Sequence, residues 1–282
     1  MQILLQLAVV SVIVCSQSRL ILTDPADQEF CSAPETAMLR PQFVLFGDSL
    51  TQKSFDEGGW AGRLANEYQR KVDVINRGYS GYNTRWAKYI APVIFPASQK
   101  MPPQLVTVFF GANDAALPDR LSARQHVPVE EYRSNLQSMI QLVQSKGSKN
   151  ILLITPPPLH EAARVRHNQQ ENDEVSEATS IPERTNSVTS QYAAAAKQLA
   201  GDLGLPVLDL WTEIQKHKSW QSDYLEDGLH FTPAGNKAVF NLLLATLRES
   251  FPHLRAENLP DDFPSHRDID EDDPGKAFIS YA

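Results

Sequence analysis

Five short apolar runs, each flanked by loops rich in glycine, proline or polar residues, do most to limit what this chain can fold into. Phe43–Phe46 runs into Gly47-Asp48-Ser49, and Val72–Ile75 into a glycine-rich turn from Asn76 to Thr84. Leu105–Phe110 ends at Gly111-Ala112-Asn113-Asp114, Ile151–Ile154 at Pro156-Pro157-Pro158, and Val207–Leu210 comes last. Short, nearly continuous apolar runs are characteristic of strands buried on both faces of a parallel sheet. The stretches between them repeat at helical spacing. Trp60, Leu64, Ala65 and Tyr68 form one stripe; Tyr132, Leu136, Met139, Ile140 and Val143 form another, opened by Pro128 with Glu130 and Glu131 in the first turn. Val188, Tyr192, Ala195, Ala196, Leu199 and Leu203 precede a capping Gly204. A last helix starts at Pro233 behind Thr232 and runs to about Glu249. Strands alternating with helices imply βαβ units and right-handed crossovers. The expected fold class is therefore α/β, a five-stranded parallel sheet with helices on both faces.

In such sheets ligands bind outside the carboxyl ends of the strands. Ser49, Gly81, Asn113 and the loop Asp227-Gly228-Leu229-His230 all follow strand ends, so four loops converge on one edge. A serine hydroxyl is a weak nucleophile until a base takes its proton and a third group holds that base in the right tautomer. His230 and Asp227, three apart with Gly228 letting the backbone turn, fit those two roles. Acyl transfer also needs donors aimed at the developing oxyanion, and Ser49 N–H, Gly81 N–H and the Asn113 amide are the candidates. Each element alone has an ordinary reading: Gly-Asp-Ser as a turn cluster, Gly81 as a turn glycine, Asn113 as a self-bonded turn, Asp-Gly-Leu-His as a turn with a solvent-facing histidine. Their joint occurrence, in order and at strand ends, favours a site.

Gly47-Asp48-Ser49-Leu50, Gly81, Gly111-Ala112-Asn113-Asp114 and Asp227-Gly228-Leu229-His230 resemble the four sequence blocks of the GDSL/SGNH hydrolases, over about residues 42 to 250. The run from Asn76 to Trp86 further resembles the isoamyl acetate-hydrolysing esterase branch. That resemblance implies a three-layer α/β/α sandwich of flavodoxin-like type. It also implies Ser49 as nucleophile, His230 as base, Asp227 as its orienter, and Gly81 with Asn113 in the oxyanion hole. The branch implies small esters with acetate as the acyl group. Lysophospholipase, thioesterase and carbohydrate deacetylase activities are the alternatives within the family, and a catalytically silent scaffold is the alternative outside enzymes.

Other chemistries lack their residues. An α/β-hydrolase elbow wants Gly-x-Ser-x-Gly, and Thr51 stands where the second glycine should be. His160-Glu161-Ala162-Ala163-Arg164 lacks the second histidine of a zinc motif, and no Gly-x-Gly-x-x-Gly follows the first strand. Neither a metal nor a cofactor is expected. Most of the net charge of -8 lies in residues 256–282, where eight Asp and Glu face Arg267 and Lys276. With no basic stripe, nucleic acid is not an expected partner. The expected partner is a small-molecule ester, and nothing in the sequence sets the oligomeric state.

Three segments follow. Residues 1–37 form a leader whose apolar run, Ile3 to Cys15, suits a signal-peptide core and is too short for a stable membrane span. Both cysteines, Cys15 and Cys31, lie in it. The protein is expected to be secreted if the leader is a signal peptide, and cytoplasmic if translation starts at Met38. Residues 38–252 form the hydrolase domain, and 253–282 read as an acidic, proline-containing disordered tail. Within the domain, residues 160–182 are polar and aperiodic and read as a long surface insertion in the position of a lid.

Overall fold

The computed structural model describes residues 40–98, 101–171 and 175–281. The leader, both cysteines and the alternative start at Met38 lie outside the described residues. Five strands, β1 (Gln42–Gly47), β2 (Asp73–Gly78), β3 (Leu105–Phe109), β4 (Ile151–Ile154) and β5 (Val207–Leu208), form one sheet in the order β2-β1-β3-β4-β5. Every pairing is parallel. This is the flavodoxin-like order, in which the winding direction reverses between β1 and β3 and the chain ends diverge there into a crevice. Gly47 stands level with Gly78 of β2 and Phe109 of β3. The first, second and third loops therefore leave the sheet side by side.

Ten helices surround the sheet among the described residues. They are α1 (Ser49–Gln52), α2 (Trp60–Glu67), α3 (Thr84–Ile94), α4 (Val129–Ser145), α5 (Glu161–Glu171), α6 (Glu177–Ser180), α7 (Asn186–Leu203), α8 (Leu210–Gln215), α9 (Trp220–Asp223) and α10 (Pro233–Ser250). Side chains alternate across a strand, so Phe43 and Leu45 enter one core with Trp60 and Leu64 of α2, Ile214 of α8, and Val239, Leu243 and Leu247 of α10. Val44 and Phe46 enter the other, against Ala87 and Ala91 of α3, Leu136 and Ile140 of α4, and Tyr192 and Leu199 of α7. The outcome is three layers, α/β/α. Among the described residues no helix is long and apolar enough to cross a membrane.

Three local readings of the sequence are corrected. The glycine-rich turn after β2 is shorter than its sequence suggests, because β2 extends to Gly78, and it leads into a helix that the sequence did not show: Asn83 caps it by accepting from Trp86 N–H (3.0 Å), and α3 follows with Thr84, Ala87 and Ala91 inward. Pro92 in its last turn, lacking the N–H a helix interior uses, hid it. β5 spans two residues, because Asp209 accepts from Thr212 N–H and caps α8. Residues 160–182 are not aperiodic: they contain α5 and α6, and the latter is closed by a capping box between Ser176 and Thr179.

The domain boundary moves from 252 to Ser265, since the compact unit runs from Arg40 to Ser265. Leu254 and Ala256 join the core beside α10, Lys71 Nζ donates to Leu259 O (2.8 Å), and Asp262 pairs with Arg40 and Arg70. Proline and acid content led to a disordered reading, but Glu257, Asp261 and Asp262 have basic partners in the fold. Residues 266–281 form 3₁₀ turns at His266–Asp268 and Pro274–Tyr281.

Candidate active site

Gly47 ends β1 with no room for a side chain: a Cβ there would stand 2.1 Å from Thr51 Oγ1 and 2.6 Å from Phe109 O. The chain turns at once into α1, which Asp48 caps by accepting from Leu50 N–H (3.0 Å). Ser49 is the first helical residue and is almost wholly buried. Its N–H, at a helix start, donates to no group among the described residues, as expected of the orphan donors of a first turn.

The loop from Leu225 to Phe231 is closed by an antiparallel bridge between those two residues and by Glu226 N–H on His230 O (3.0 Å). Inside it, Asp227 Oδ1 accepts from the backbone N–H of Leu229 (2.9 Å) and of His230 (2.8 Å). Gly228 has φ +87°, and a Cβ on it would stand 2.4 Å from His160 O. The turn leaves Asp227 Oδ2 against His230 Nδ1 (2.7 Å), while His230 Nε2 meets Ser49 Oγ (2.9 Å). Residues 181 apart are thus joined in one line of hydrogen bonds. With Asp227 accepting, the imidazole carries its proton on Nδ1 and offers an unprotonated Nε2 to the hydroxyl.

Burial works to raise the Asp227 carboxyl, but the hydrogen bonds and charge of His230, together with Arg164, outweigh it and hold the carboxyl well below the usual carboxylate range. It is ionised at any working pH. Two other carboxyls behave oppositely. Burial pushes Asp48 up to about 7 against its bond from Leu50, with Asp114 adding to the rise, and Asp48 Oδ2 has no partner among the described residues. Burial pushes Asp114 up to about 7 as well, against the Thr84 hydroxyl and N–H that it accepts at the start of α3.

Gly81 sits at φ +78° in the turn after β2. That turn is held to the nucleophile's strand by Tyr79 N–H on Gly47 O (2.9 Å) and to α1 by Ser80 N–H on Gln52 Oε1 (2.8 Å). Gly81 N–H has no acceptor among the described residues. Asn113 Nδ2 donates to Tyr82 O (2.9 Å), which leaves its second amide proton, and Asn113 Oδ1 accepts from Arg184 (3.2 Å). All five residues singled out in the sequence, Ser49, Gly81, Asn113, Asp227 and His230, come to one edge of the sheet. Arg164, Glu183, Arg184 and Gln125, which tie them together, carried no signal; a charged residue in a polar stretch reads as solvated. Beside His230 a recess of about 150 Å³ is lined by Leu50, Lys53, Asp56, Glu226, Phe231 and Asn236. Among the described residues no group of three or more His, Cys, Asp or Glu side chains is placed to hold a metal ion.

A flavodoxin-type sheet that presents a serine, an imidazole and a carboxylate in hydrogen-bonded sequence is the framework of a carboxylic ester hydrolase. The pattern of the GDSL-like lipase/acylhydrolase family matches residues 45–238, and the chain belongs to that family. It is 48% identical over 241 residues to a GDSL esterase/lipase of Arabidopsis thaliana, covering 85% of this chain and 98% of that one. It is 44% identical over 251 residues to the mouse isoamyl acetate-hydrolyzing esterase 1 homolog, covering 88% and 96%. Among solved structures, the lipase/acylhydrolase of Enterococcus faecalis superposes with a TM-score of 0.57 at 26% identity, covering 78% of this chain and 98% of that one. The acetylxylan esterase Axe2 of Geobacillus stearothermophilus, at 21% identity, a TM-score of 0.55 and 74% and 95% coverage, shares the fold.

Proposed function

We propose that the protein hydrolyses small carboxylic esters, with acetate-type acyl groups, through an acyl-enzyme on Ser49. The observation that carries this reading is the unbroken line Asp227 Oδ2–His230 Nδ1 (2.7 Å) and His230 Nε2–Ser49 Oγ (2.9 Å). Ser49 Oγ attacks the ester carbonyl carbon as His230 Nε2 takes the hydroxyl proton. The carbonyl π pair moves onto oxygen, which receives hydrogen bonds from the unengaged N–H groups of Ser49 and Gly81 and the free Asn113 amide proton. Loss of one such donor typically costs about 10² to 10³ in rate. Collapse of the tetrahedral intermediate breaks the bond to the alkoxy oxygen, which takes the proton from His230 and leaves as the alcohol. A water then repeats the sequence: His230 removes its proton, the hydroxyl oxygen bonds the acyl carbon, and Ser49 leaves and recovers a proton. Asp227 remains ionised throughout and stabilises the imidazolium that forms twice per turnover.

A small ester has room in the open, polar-lined recess of about 150 Å³ beside His230. The names of relatives at 43–44% identity, isoamyl acetate-hydrolyzing esterase 1 homologs of mouse and human, point the same way. The test is hydrolysis of p-nitrophenyl esters from acetate to palmitate by wild-type protein and Ser49→Ala. A Ser49-dependent rate that falls steeply with acyl length is the expected result. A preference for long chains would move the assignment to lipid or thioester substrates, and no Ser49-dependent rate on any ester would leave a silent scaffold.

A further inference from the structure

The segment between β4 and α7 carries a buried chain of charges with no part in the steps above. Arg164 on α5 donates from Nη1 to Asp227 Oδ2 (2.9 Å) and from Nε to Glu183 Oε1 (3.0 Å). Glu183, with no exposed surface, also accepts from Arg184 Nη1 (2.7 Å). Arg184 then reaches the opposite side of the site. Its Nε donates to Ala112 O (2.9 Å), and its Nη2 to Asn113 Oδ1 (3.2 Å) and to Gln125 Oε1. Gln125 Nε2 in turn donates to Gly81 O (3.0 Å). One run of hydrogen bonds therefore links the carboxylate that holds His230 to Asn113 and Gly81, two of the three residues assigned to the oxyanion.

The chemistry of a guanidinium makes this chain directional. Arginine has five donors and no acceptor, so any amide touching it must turn its oxygen inward. Asn113 is thereby committed to pointing Nδ2 away from Arg184, toward Tyr82 O and the Gly81 turn. Gln125 is committed in the same way to presenting Nε2 to Gly81 O. At the other end, Arg164 fixes the same Asp227 oxygen that accepts from His230 Nδ1. Burying two arginines and a glutamate carries a large desolvation cost, and well-packed apolar residues of similar volume often stabilise a fold as well or better. What apolar residues cannot supply is this choice of amide orientation and carboxylate position.

We propose, resting on the Ser49 mechanism above, that Arg164 and Arg184 are positioning residues for ester hydrolysis. Glu183 joins them, so that the orienting carboxylate and the oxyanion donors are set by one ion chain. The stretch that reads in sequence as a polar insertion is then a built part of the active site.

The test measures kcat and KM on a short-chain p-nitrophenyl ester, the rate of Ser49 labelling by a fluorophosphonate, and Tm, for Arg164→Lys, Arg184→Lys, Gln125→Met and Ser49→Ala. Lysine keeps the charge and one ionic contact but loses the planar fork. Both lysine variants are expected to lower kcat and the labelling rate roughly 10- to 100-fold while KM stays within about threefold, the signature of misplaced groups rather than lost binding. The double variant should lose less than the product of the single losses, because the two arginines share Glu183. Gln125→Met, at the half-buried end of the chain, tests the oxyanion arm with Glu183 and both arginines in place; it removes the donor to Gly81 O together with one of the acceptors of Arg184, so a smaller fall in kcat than in the lysine variants is expected, with at most a small fall in Tm. Folded variants with wild-type kcat and labelling, beside a dead Ser49→Ala, would overturn the proposal and leave the hydrolytic reading intact. Full turnover by Ser49→Ala would overturn both.

Discussion

Replacing Asp227 by asparagine is the sharpest probe of the site because it removes one acceptor and almost nothing else. Both carboxylate oxygens are committed: Oδ1 to two backbone N–H groups at 2.9 and 2.8 Å, Oδ2 to His230 Nδ1 at 2.7 Å and Arg164 Nη1 at 2.9 Å. An amide has one acceptor oxygen. If it keeps that oxygen on the backbone, its NH₂ confronts the Nδ1 proton, and the imidazole is forced to carry its proton on Nε2, aimed at Ser49. The base is then occupied, and kcat should fall about 10³- to 10⁴-fold, which at about 1.4 kcal/mol per decade is about 4 to 5.5 kcal/mol of lost transition-state stabilisation. If instead the amide turns over, Leu229 and His230 N–H lose their acceptor, at a cost of about 1–3 kcal/mol in stability for a buried donor left unmade. Steady-state kinetics on p-nitrophenyl acetate, with Tm measured in parallel, separates the two outcomes. A folded Asp227→Asn protein with kcat within about tenfold of wild type would refute the tautomer argument.

Three further outcomes follow from the same geometry. Gly228→Ala places a Cβ 2.4 Å from His160 O at φ +87°, so it should destabilise the domain by about 1–3 kcal/mol and lower kcat by shifting Asp227; an unchanged Tm would count against the close approach. Asp48 is pushed up to about 7 by burial, so the folded state binds its proton more tightly than the unfolded chain does. Its contribution to stability is full below about pH 4 and lost as pH rises through about 7. Asp48→Asn has no such proton, so its Tm relative to wild type should climb across that window, and a pH-independent difference would contradict the assignment. Truncation after Ser265 should leave the Arg40–Ser265 unit active, whereas truncation after 252 removes buried Leu254 and the Asp262 pairs with Arg40 and Arg70. The shorter form should lose about 2 kcal/mol or more from Leu254 alone, measured as a lower midpoint in urea.

The amino-acid sequence by itself determined the parts of this protein whose signals are local. An apolar run entering a glycine or a proline marks a buried strand and its carboxyl end within a few residues, which is why β1, β3 and β4 and the loops bearing Ser49 and Asn113 were legible. Asp227 and His230 lie three apart on one turn, so their partnership could be read as well. Only the tertiary structure decided which strand lies beside which, and which distant charges meet. Arg164 and Asp227 are 63 residues apart, and Arg184 and Asn113 are 71 apart. No periodicity, cap or turn signal reaches across such distances. A buried arginine is spelled the same way as a solvated one until the fold brings its acceptors to it. For the same reason the polar stretch after β4 and the acidic residues past 252 read as surface and tail, although in the folded chain the first lines the site and the second, as far as Ser265, packs with the hydrolase unit.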